Sequence, residues 1–158
     1  MKLIPVSQNK FTMVDDEDFE WLNQWKWCLG GGYAVRSHKR TRKILLHRLL
    51  IKIPKGMEVD HINNNPLDNQ KNNLRIVTHH QNIFNTSMRK DNTSGFKGVS
   101  WQANISKWRV QIQIKKQKKH VGYFDDRLKA AKAYNKIARY LFGQFAYQNK
   151  IGGDNINV

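Results

Sequence analysis

The stretch from Val59 to Asn85 constrains the fold of this chain more than any other. It begins with a short strand pattern, passes through a polar loop rich in Asn, and reaches a second apolar run at residues 74–77. Thr78 then stands at the position of a helix N-cap, before a helix that carries Asn82. The stretch therefore predicts a strand, a loop, a second strand and a helix.

Three side chains of this stretch have the chemistry needed to cleave a phosphodiester. Asp60 offers a carboxylate, His61 an imidazole, and Asn82 an amide oxygen carried by the helix. A hairpin followed by a helix can bring these groups around one divalent cation. The reference pKa of His is about 6.5, so a neutral imidazole is available near pH 7 to act as a general base.

The same residues resemble the HNH (His-Me finger) endonucleases, especially the homing endonucleases of phages and introns. The matched patterns are Asp60-His61, Asn73 twelve residues after that His, Asn-Leu-Arg at Asn73 to Arg75, and Gln-Asn-x-x-Asn at Gln81 to Asn85. The third motif residue is Asn82 rather than His, a variant that the homing branch uses. Because Asn binds a cation through a neutral oxygen, we expect one Mg²⁺ or Mn²⁺ ion at the site and no zinc.

This resemblance implies a role for each motif side chain. His61 would take a proton from the attacking water, and Asn73 would orient its imidazole. Asp60 and Asn82 would hold the metal ion, and the products would carry a 5′ phosphate and a 3′ hydroxyl. Arg75 would either clamp a neighbouring phosphate of the DNA or form a salt bridge within the fold.

The charge of the chain separately indicates a polyanionic partner. Lys and Arg number 28 against 12 Asp and Glu, for a net charge of +16. Nucleic acid is favoured over a membrane, because no apolar run approaches the ~18–20 residues needed to span a bilayer. Residues 36–55 hold eight basic side chains and no acid. We expect phosphate contacts from this block, including Arg40 and Arg42, and the alternative is a solvated basic face.

Two other reactive side chains fit structural roles. His47 follows an apolar run, and we expect it to pack near the motif rather than to catalyse. Cys28 is the only cysteine, which excludes an internal disulfide and a Cys-based zinc knuckle, and we expect it in the core.

The N-terminus has no signal-peptide pattern, so we expect a protein of the cytoplasm in a bacterial or phage-infected cell, not a secreted one.

The N-terminal part predicts a hairpin and a helix ahead of the motif. Strand patterns at residues 3–6 and 11–14 are followed by Asp15 and Asp16, which supply a helix cap. Three tryptophans are expected in a small core, with base stacking as the alternative: Trp21, Trp25 and Trp27. Residues 30–32 are glycines, which predict a hairpin turn rather than a phosphate-binding loop.

The second half of the chain has the period of a half-buried sheet. Apolar and polar side chains alternate over residues 108–114 and 99–102, and a third strand is predicted at 118–123. A helix of about 17 residues is predicted from Asp126. Its inward stripe is Ala130, Ala133, Tyr134, Ile137, Ala138 and Leu141. These elements predict a three-stranded antiparallel sheet with a helix on one face and the other face exposed.

A second resemblance covers roughly residues 94–149. The motifs Phe-Lys-Gly-Val-Ser at 96–100, Val-Gly-Tyr-Phe at 121–124 and Ala-Ala-Lys-Ala-Tyr-Asn at 130–135 resemble the Apetala-two (ERF-type) DNA-binding domain. In that family the sheet lies in the major groove, where Gln, Asn, Arg and Lys suit the edges of bases. The matching outward positions, with Arg109 on the same strand face, are Lys97, Ser100, Gln102, Asn104, Arg109, Gln111, Gln113, Lys118 and His120. Several Arg and Trp contacts typical of the family are replaced, so the resemblance implies no target sequence.

The predicted architecture is α+β with two domains. Residues 1–90 would form a ββα-metal nuclease domain with its motif at 58–86, residues 94–150 an ERF-type DNA-binding domain, and 151–158 a tail. Residues from 94 onward carry +10 of the net charge, as expected for a DNA-holding module.

We therefore predict a metal-dependent, homing-type endonuclease that acts on duplex DNA. The alternative is a catalytically inactive, sequence-specific DNA-binding regulator. An RNA-binding protein is disfavoured, because the exposed sheet face offers no paired aromatic side chains. One site cuts one strand, so the choice between a nicking monomer and a homodimer that breaks both strands stays open.

Overall fold

The chain divides between Ile83 and Phe84 into two compact units. In the described residues, the first unit holds three small β-sheets and the second holds one, each with helices. The computed structural model describes residues 1–38, 42–89, 91–114 and 117–152. The mixed α/β composition expected from the sequence is confirmed. The division lies a few residues before the boundary that the sequence predicts between residues 90 and 94. Most of the predicted tail, from residue 153, lies outside the described residues. None of the helices in the described part of the chain is long and apolar enough to cross a membrane.

The first unit begins with a hairpin and a helix. These elements are β1 (Lys2–Val6), β2 (Lys10–Val14) and α1 (Asp16–Leu22). β1 and β2 pair antiparallel, and their inward face carries Ile4, Val6 and Val14 into the core of this unit. Trp27 is buried in that core and Trp21 and Trp25 pack against it, so the core interpretation of the tryptophans is confirmed.

A three-stranded antiparallel sheet and a one-turn helix follow. They are β3 (Cys28–Gly30), β4 (Tyr33–His38), β5 (Arg42–Leu45) and α2 (His47–Leu50). The turn between β3 and β4 consists of Gly31 and Gly32, both with positive φ, which glycine adopts without a steric cost. The predicted hairpin turn is therefore confirmed. The core prediction for Cys28 is wrong, because this residue lies exposed on an edge strand.

The motif stretch forms two strands and a helix. They are β6 (Glu58–His61), β7 (Leu74–Val77) and α3 (His79–Asn85), with a 3₁₀ turn at Lys71–Asn73 before β7. β6 and β7 pair antiparallel, with Asp60 opposite Arg75 and His61 opposite Leu74. The strand, loop, strand and helix lie where the sequence pattern predicts them.

The second unit contains a sheet and a long helix. They are β8 (Val99–Gln102), β9 (Lys107–Ile114), β10 (Gln117–Phe124) and α4 (Arg127–Phe142), with the antiparallel order β10-β9-β8. The Asp126 carboxylate accepts a hydrogen bond from the Lys129 amide and caps α4. The core joins the inward sheet face to α4, with Val99, Val110, Ile112, Ala130, Ala131, Tyr134, Ala138 and Ile151 buried. Leu141, predicted in the inward stripe, is 39% exposed, and Ala131 is buried in addition to the predicted residues.

Candidate active site

β6 carries three polar side chains of the motif region. Side chains alternate along a strand, so Glu58 and Asp60 share a first face, and His61 ends the strand directly after Asp60. Both Asp60 and His61 are buried, at 7% and 6% exposure. The first face lies toward α3, because Asn82 of that helix contacts Glu58. The motif carboxylate and the motif amide are thereby brought to one side of the hairpin.

The Asp60 carboxylate is held by Arg75, its cross-strand partner. Nε and one terminal nitrogen of Arg75 both donate to Asp60 Oδ2, at 2.9 and 2.7 Å. Both side chains are largely buried, and a buried carboxylate requires such a charged partner. Of the two roles that the sequence leaves open for Arg75, the structure contains the salt bridge, and we remove this residue from the DNA-binding set.

Glu58 links α3 to β6 and was not among the residues singled out from the sequence. Its Oε2 accepts a hydrogen bond from Asn82 Nδ2 at 2.6 Å, and its Oε1 lies 2.9 Å from His79 Nδ1. The hydrogen bond from Asn82, followed by that from His79, lowers the pKa of Glu58. Nδ2 of Asn82 forms this bond, and its amide oxygen Oδ1 takes no part in it. An acid two residues before Asp60 on the same strand face was the sequence signal that could have identified Glu58.

His61 is a buried imidazole with a defined partner. Its Nε2 lies 3.0 Å from Oδ1 of Asn69, in the loop between β6 and β7. Burial lowers the pKa of His61, although the hydrogen bond to Asn69 and the charges of Asp60 and Asp68 oppose this effect. The neutral form is therefore favoured near pH 7, which is the form a general base requires.

Asn73 has a different role from the predicted one of orienting His61. Its Nδ2 donates to Asn63 Oδ1 at 3.0 Å and to the Asp68 carbonyl at 2.8 Å, and its Oδ1 accepts from the Asn63 amide at 3.0 Å. These bonds use both amide protons and the amide oxygen of Asn73 to fasten the loop. The hydrogen bond to the His61 ring comes instead from Asn69, which the sequence interpretation missed.

His47 packs beside His61, as the sequence interpretation favoured. Its ring centroid lies 5.1 Å from that of His61 and 5.3 Å from that of Tyr33, and it is 5% exposed. Burial, with smaller effects from His61 and Arg48, lowers the pKa of His47 to about 4. His47 is therefore a neutral neighbour of the motif His at physiological pH.

The donor atoms on the Asp60 face suit a hard divalent cation. They are carboxylate and amide oxygens, from Asp60, Asn82 and the neighbouring Glu58, and such oxygens are the ligands that Mg²⁺ and Mn²⁺ prefer. Glu58 and Asp60 are successive side chains on one strand face, about 7 Å apart, and Asn82 contacts the first of them. Among the described residues, no group of three His, Cys, Asp or Glu side chains could by itself hold a metal ion.

The second unit presents a polar sheet face opposite α4. The register aligns Ser100, Arg109 and Tyr123 in one row across the three strands. A β-bulge between His120 and Gly122 shifts the pairing, so Tyr123 shares a face with His120 and their rings lie 4.6 Å apart. The remaining residues of this face are Gln102, Lys107, Gln111, Gln113 and Lys118. Tyr123 and Lys107 were not predicted on this face, and the bulge that places Tyr123 there cannot be predicted from alternation alone. The expectation that this face has no paired aromatic side chains is therefore wrong for Tyr123 and His120.

Three of the predicted DNA contacts that the structure describes lie off this face: Lys97, Asn104 and Arg42. Lys97 Nζ donates to the carbonyls of Phe84 and Thr86, lies 5.0 Å from the centre of the Tyr147 ring, and has a pKa that burial lowers to about 8. We therefore remove Lys97 from the DNA-binding set. Asn104 lies in a 3₁₀ turn after β8, off the sheet. Arg42 is exposed on β5, and Arg40 lies outside the described residues.

Comparison with known proteins identifies the family to which the chain belongs. Residues 52–83, which contain β6, the loop, β7 and most of α3, match the family model described as HNH endonuclease. An uncharacterized HNH endonuclease of Acanthamoeba polyphaga mimivirus is 33% identical over 94% of this chain and 80% of its own length. The chain therefore belongs to the HNH endonuclease family, and it is a nuclease.

Two further relatives are encoded by phages. Protein 3.8 of Escherichia phage T7 is 38% identical over 60% of this chain and 77% of its own length. A protein of the SPbeta prophage of Bacillus subtilis, named as an HNH homing endonuclease, is 43% identical over 44% of this chain and 42% of its own length. No solved structure matches the chain significantly. Membership of the family implies DNA as the substrate and a divalent metal ion as the cofactor.

Proposed function

We propose that the protein is a homing-type endonuclease that hydrolyses a phosphodiester bond of duplex DNA with the aid of Mg²⁺ or Mn²⁺. The observation that carries this proposal is the arrangement of the hairpin. A buried imidazole whose neutral form is favoured stands next to a buried carboxylate, on the same strand. The phage origin of two relatives, one of them named as a homing endonuclease, supports the homing type and a location in the cytoplasm of the host cell.

In the proposed reaction His61 removes a proton from the attacking water. Its neutral imidazole is the acceptor, and the water attacks phosphorus in line with the leaving 3′ oxygen. Asp60 and Asn82 would hold one divalent ion, which supplies stabilisation of negative charge on the phosphate and the leaving oxygen. Arg75 fixes the position of the Asp60 carboxylate, and Glu58 fixes that of Asn82. The products are a 5′ phosphate and a 3′ hydroxyl.

We further propose that the second unit binds the target through the polar face of its sheet, in the manner of the ERF-type domain. Gln111 and Gln113 can pair with adenine edges in the major groove, and Arg109 with guanine. Lys118 would contact the phosphate backbone, which adds affinity without sequence preference. The exposed positions of Gln113, Lys118 and His120 support this assignment.

The experiment that tests the proposal is incubation of the purified protein with supercoiled plasmid DNA. We expect conversion to open circles or linear DNA in Mg²⁺ or Mn²⁺, and no conversion in a chelator. Product ends sealed by DNA ligase would establish the 5′ phosphate and 3′ hydroxyl. Binding to duplex DNA without any cleavage in either metal would instead favour the inactive DNA-binding regulator. The ratio of open circles to linear DNA would separate nicking from double-strand cleavage.

A further inference from the structure

A chain of buried hydrogen bonds connects the N-terminal hairpin to the ring of His61. Thr12 of β2 and Asn69 of the motif loop are 0% and 1% exposed. Thr12 Oγ1 lies 2.8 Å from the Leu67 carbonyl oxygen, Asn69 Nδ2 lies 2.6 Å from Thr12 Oγ1, and Asn69 Oδ1 lies 3.0 Å from His61 Nε2. All of these residues belong to the first unit.

The chemistry of the groups fixes which atom donates and which accepts in each of these hydrogen bonds. A carbonyl oxygen only accepts, so Thr12 must donate its single hydroxyl proton to Leu67. The Thr12 oxygen must then accept from Asn69, which places the NH₂ group of the Asn69 amide toward Thr12. The oxygen of that amide consequently faces His61, and the hydrogen bond forms only if His61 Nε2 carries a proton.

We propose that Thr12 and Asn69 are positioning residues that select the Nε2–H tautomer of His61. In a neutral imidazole with a proton on Nε2, the basic lone pair is the one on Nδ1. Resting on the proposed function, this inference assigns the general base of the reaction to His61 Nδ1. The opposite tautomer would present an N–H where the reaction needs an acceptor.

The same N-terminal hairpin also holds the backbone on either side of these side-chain hydrogen bonds. The Met13 amide donates to the Leu67 carbonyl, and the Asn69 amide donates to the Met13 carbonyl, both at 2.8 Å. Beyond β2, the carboxylate of Asp15 accepts from the Lys71 amide at 2.8 Å. The residues that set the tautomer of His61 are therefore positioned by an element outside the part of the chain that matches the family model, residues 52–83.

Nitrogen-15 NMR of the full-length protein tests the assignment directly. Long-range proton–nitrogen correlation at about pH 8 distinguishes a ring nitrogen that carries a proton from one that carries a lone pair, and the His61→Ala spectrum identifies the signals. We expect a protonated Nε2 and an unprotonated Nδ1 in the wild-type protein. A wild-type spectrum with the proton on Nδ1, or with both tautomers equally populated, would overturn the proposal without any need for a variant.

Variants then test the role of the hydrogen bonds that Thr12 and Asn69 form. Thr12→Val keeps the shape of the side chain but removes the acceptor of Asn69, so both tautomers of His61 should become populated. We expect the cleavage rate kcat to fall about 10- to 100-fold, with the KM for DNA unchanged. Thr12→Ser restores the hydroxyl and should restore the Nε2–H tautomer and the rate. Thr93→Val, the same change at an exposed position, is the matched control and should behave as the wild type.

The outcomes separate this inference from the proposed function. If Thr12→Val does not fold, Asn69→Ala removes the partner of His61 itself and should also give a mixture of tautomers. A folded variant of either kind that keeps the wild-type tautomer would overturn the positioning role of Thr12 and Asn69. So would a folded variant that loses the tautomer and keeps the wild-type kcat. A wild-type protein with the Nε2–H tautomer and no cleavage in Mg²⁺ or Mn²⁺ would overturn the nuclease mechanism and leave the tautomer assignment standing.

Discussion

Acid should destabilise the first unit through His47. This side chain is 5% exposed and lies against the rings of Tyr33 and His61. Burial, then His61 and Arg48, lowers its pKa from 6.5 to about 4. The unfolded chain therefore binds a proton at His47 between these two pH values and the folded chain does not. The free energy of unfolding must then fall as the pH decreases through this range.

The magnitude follows from the difference between the two pKa values. Each pKa unit corresponds to about 1.4 kcal/mol, so the gap between 6.5 and about 4 is worth up to about 3 kcal/mol. This loss is absent at pH 8, where His47 is neutral in both states. It is complete below about pH 4, where the folded protein also binds the proton.

Urea denaturation of the wild type and His47→Gln, followed by tryptophan fluorescence between pH 8 and pH 4, measures this contribution. Glutamine does not titrate, and the other titrating groups, including His61, are common to both proteins. We expect the wild type to lose up to about 3 kcal/mol relative to the variant as the pH falls. Parallel pH dependences of the two proteins would refute the burial of a neutral His47.

Two further predictions concern the second unit. In Gly98→Ala the new Cβ would lie 2.3 Å from the Tyr134 ring and 2.6 Å from the Gln111 carbonyl oxygen, whereas Gly95 has the same φ of +76° and no atom within 4 Å. Gly98→Ala should therefore lower the free energy of unfolding by about 2 kcal/mol more than Gly95→Ala, and equal losses in urea denaturation would contradict the packing described. Gln111→Ala should relax the base preference at one or two target positions by about 1–3 kcal/mol, whereas Lys118→Ala should weaken all sequences alike. Selection from randomised duplexes measures both, and an unchanged profile for Gln111→Ala would show that the sheet does not read the sequence.

Regular elements could be predicted from the sequence because their signals are local. The alternation over residues 108–114 and the apolar run at 74–77 place β9 and β7 within a residue of their observed bounds. The long helix was predicted from Asp126, and that residue is its N-cap. The motif strands and helix depend on the same kind of short-range pattern, so the positions of Asp60, His61 and Asn82 on them follow from the sequence.

The partners of the motif residues could not be predicted, because they depend on contacts between distant parts of the chain. Thr12 reaches the motif only through the bridging of β2 to the loop. Asn69 and Asn73 are both loop amides, and no sequence rule decides which of them meets His61. Lys97 was predicted from the sequence as a DNA contact. Its burial against Tyr147 could not be predicted, because it depends on how the C-terminal segment packs. Thr12 offered a signal of its own, since a polar residue on the inward face of a strand requires a partner.

The central claim is that His61 is the base and that Asp60 holds the metal ion. Plasmid cleavage by His61→Ala and Asp60→Ala over a range of Mg²⁺ and Mn²⁺ concentrations tests it most directly, with a gel shift to confirm that both variants still bind DNA. We predict that His61→Ala lowers the cleavage rate by about 10² to 10⁴ at every metal concentration, because the base is lost. Asp60→Ala should recover part of its activity as the metal concentration rises, because the loss of a charged ligand weakens ion binding. Cleavage by His61→Ala at the wild-type rate would contradict the account and place the general base elsewhere.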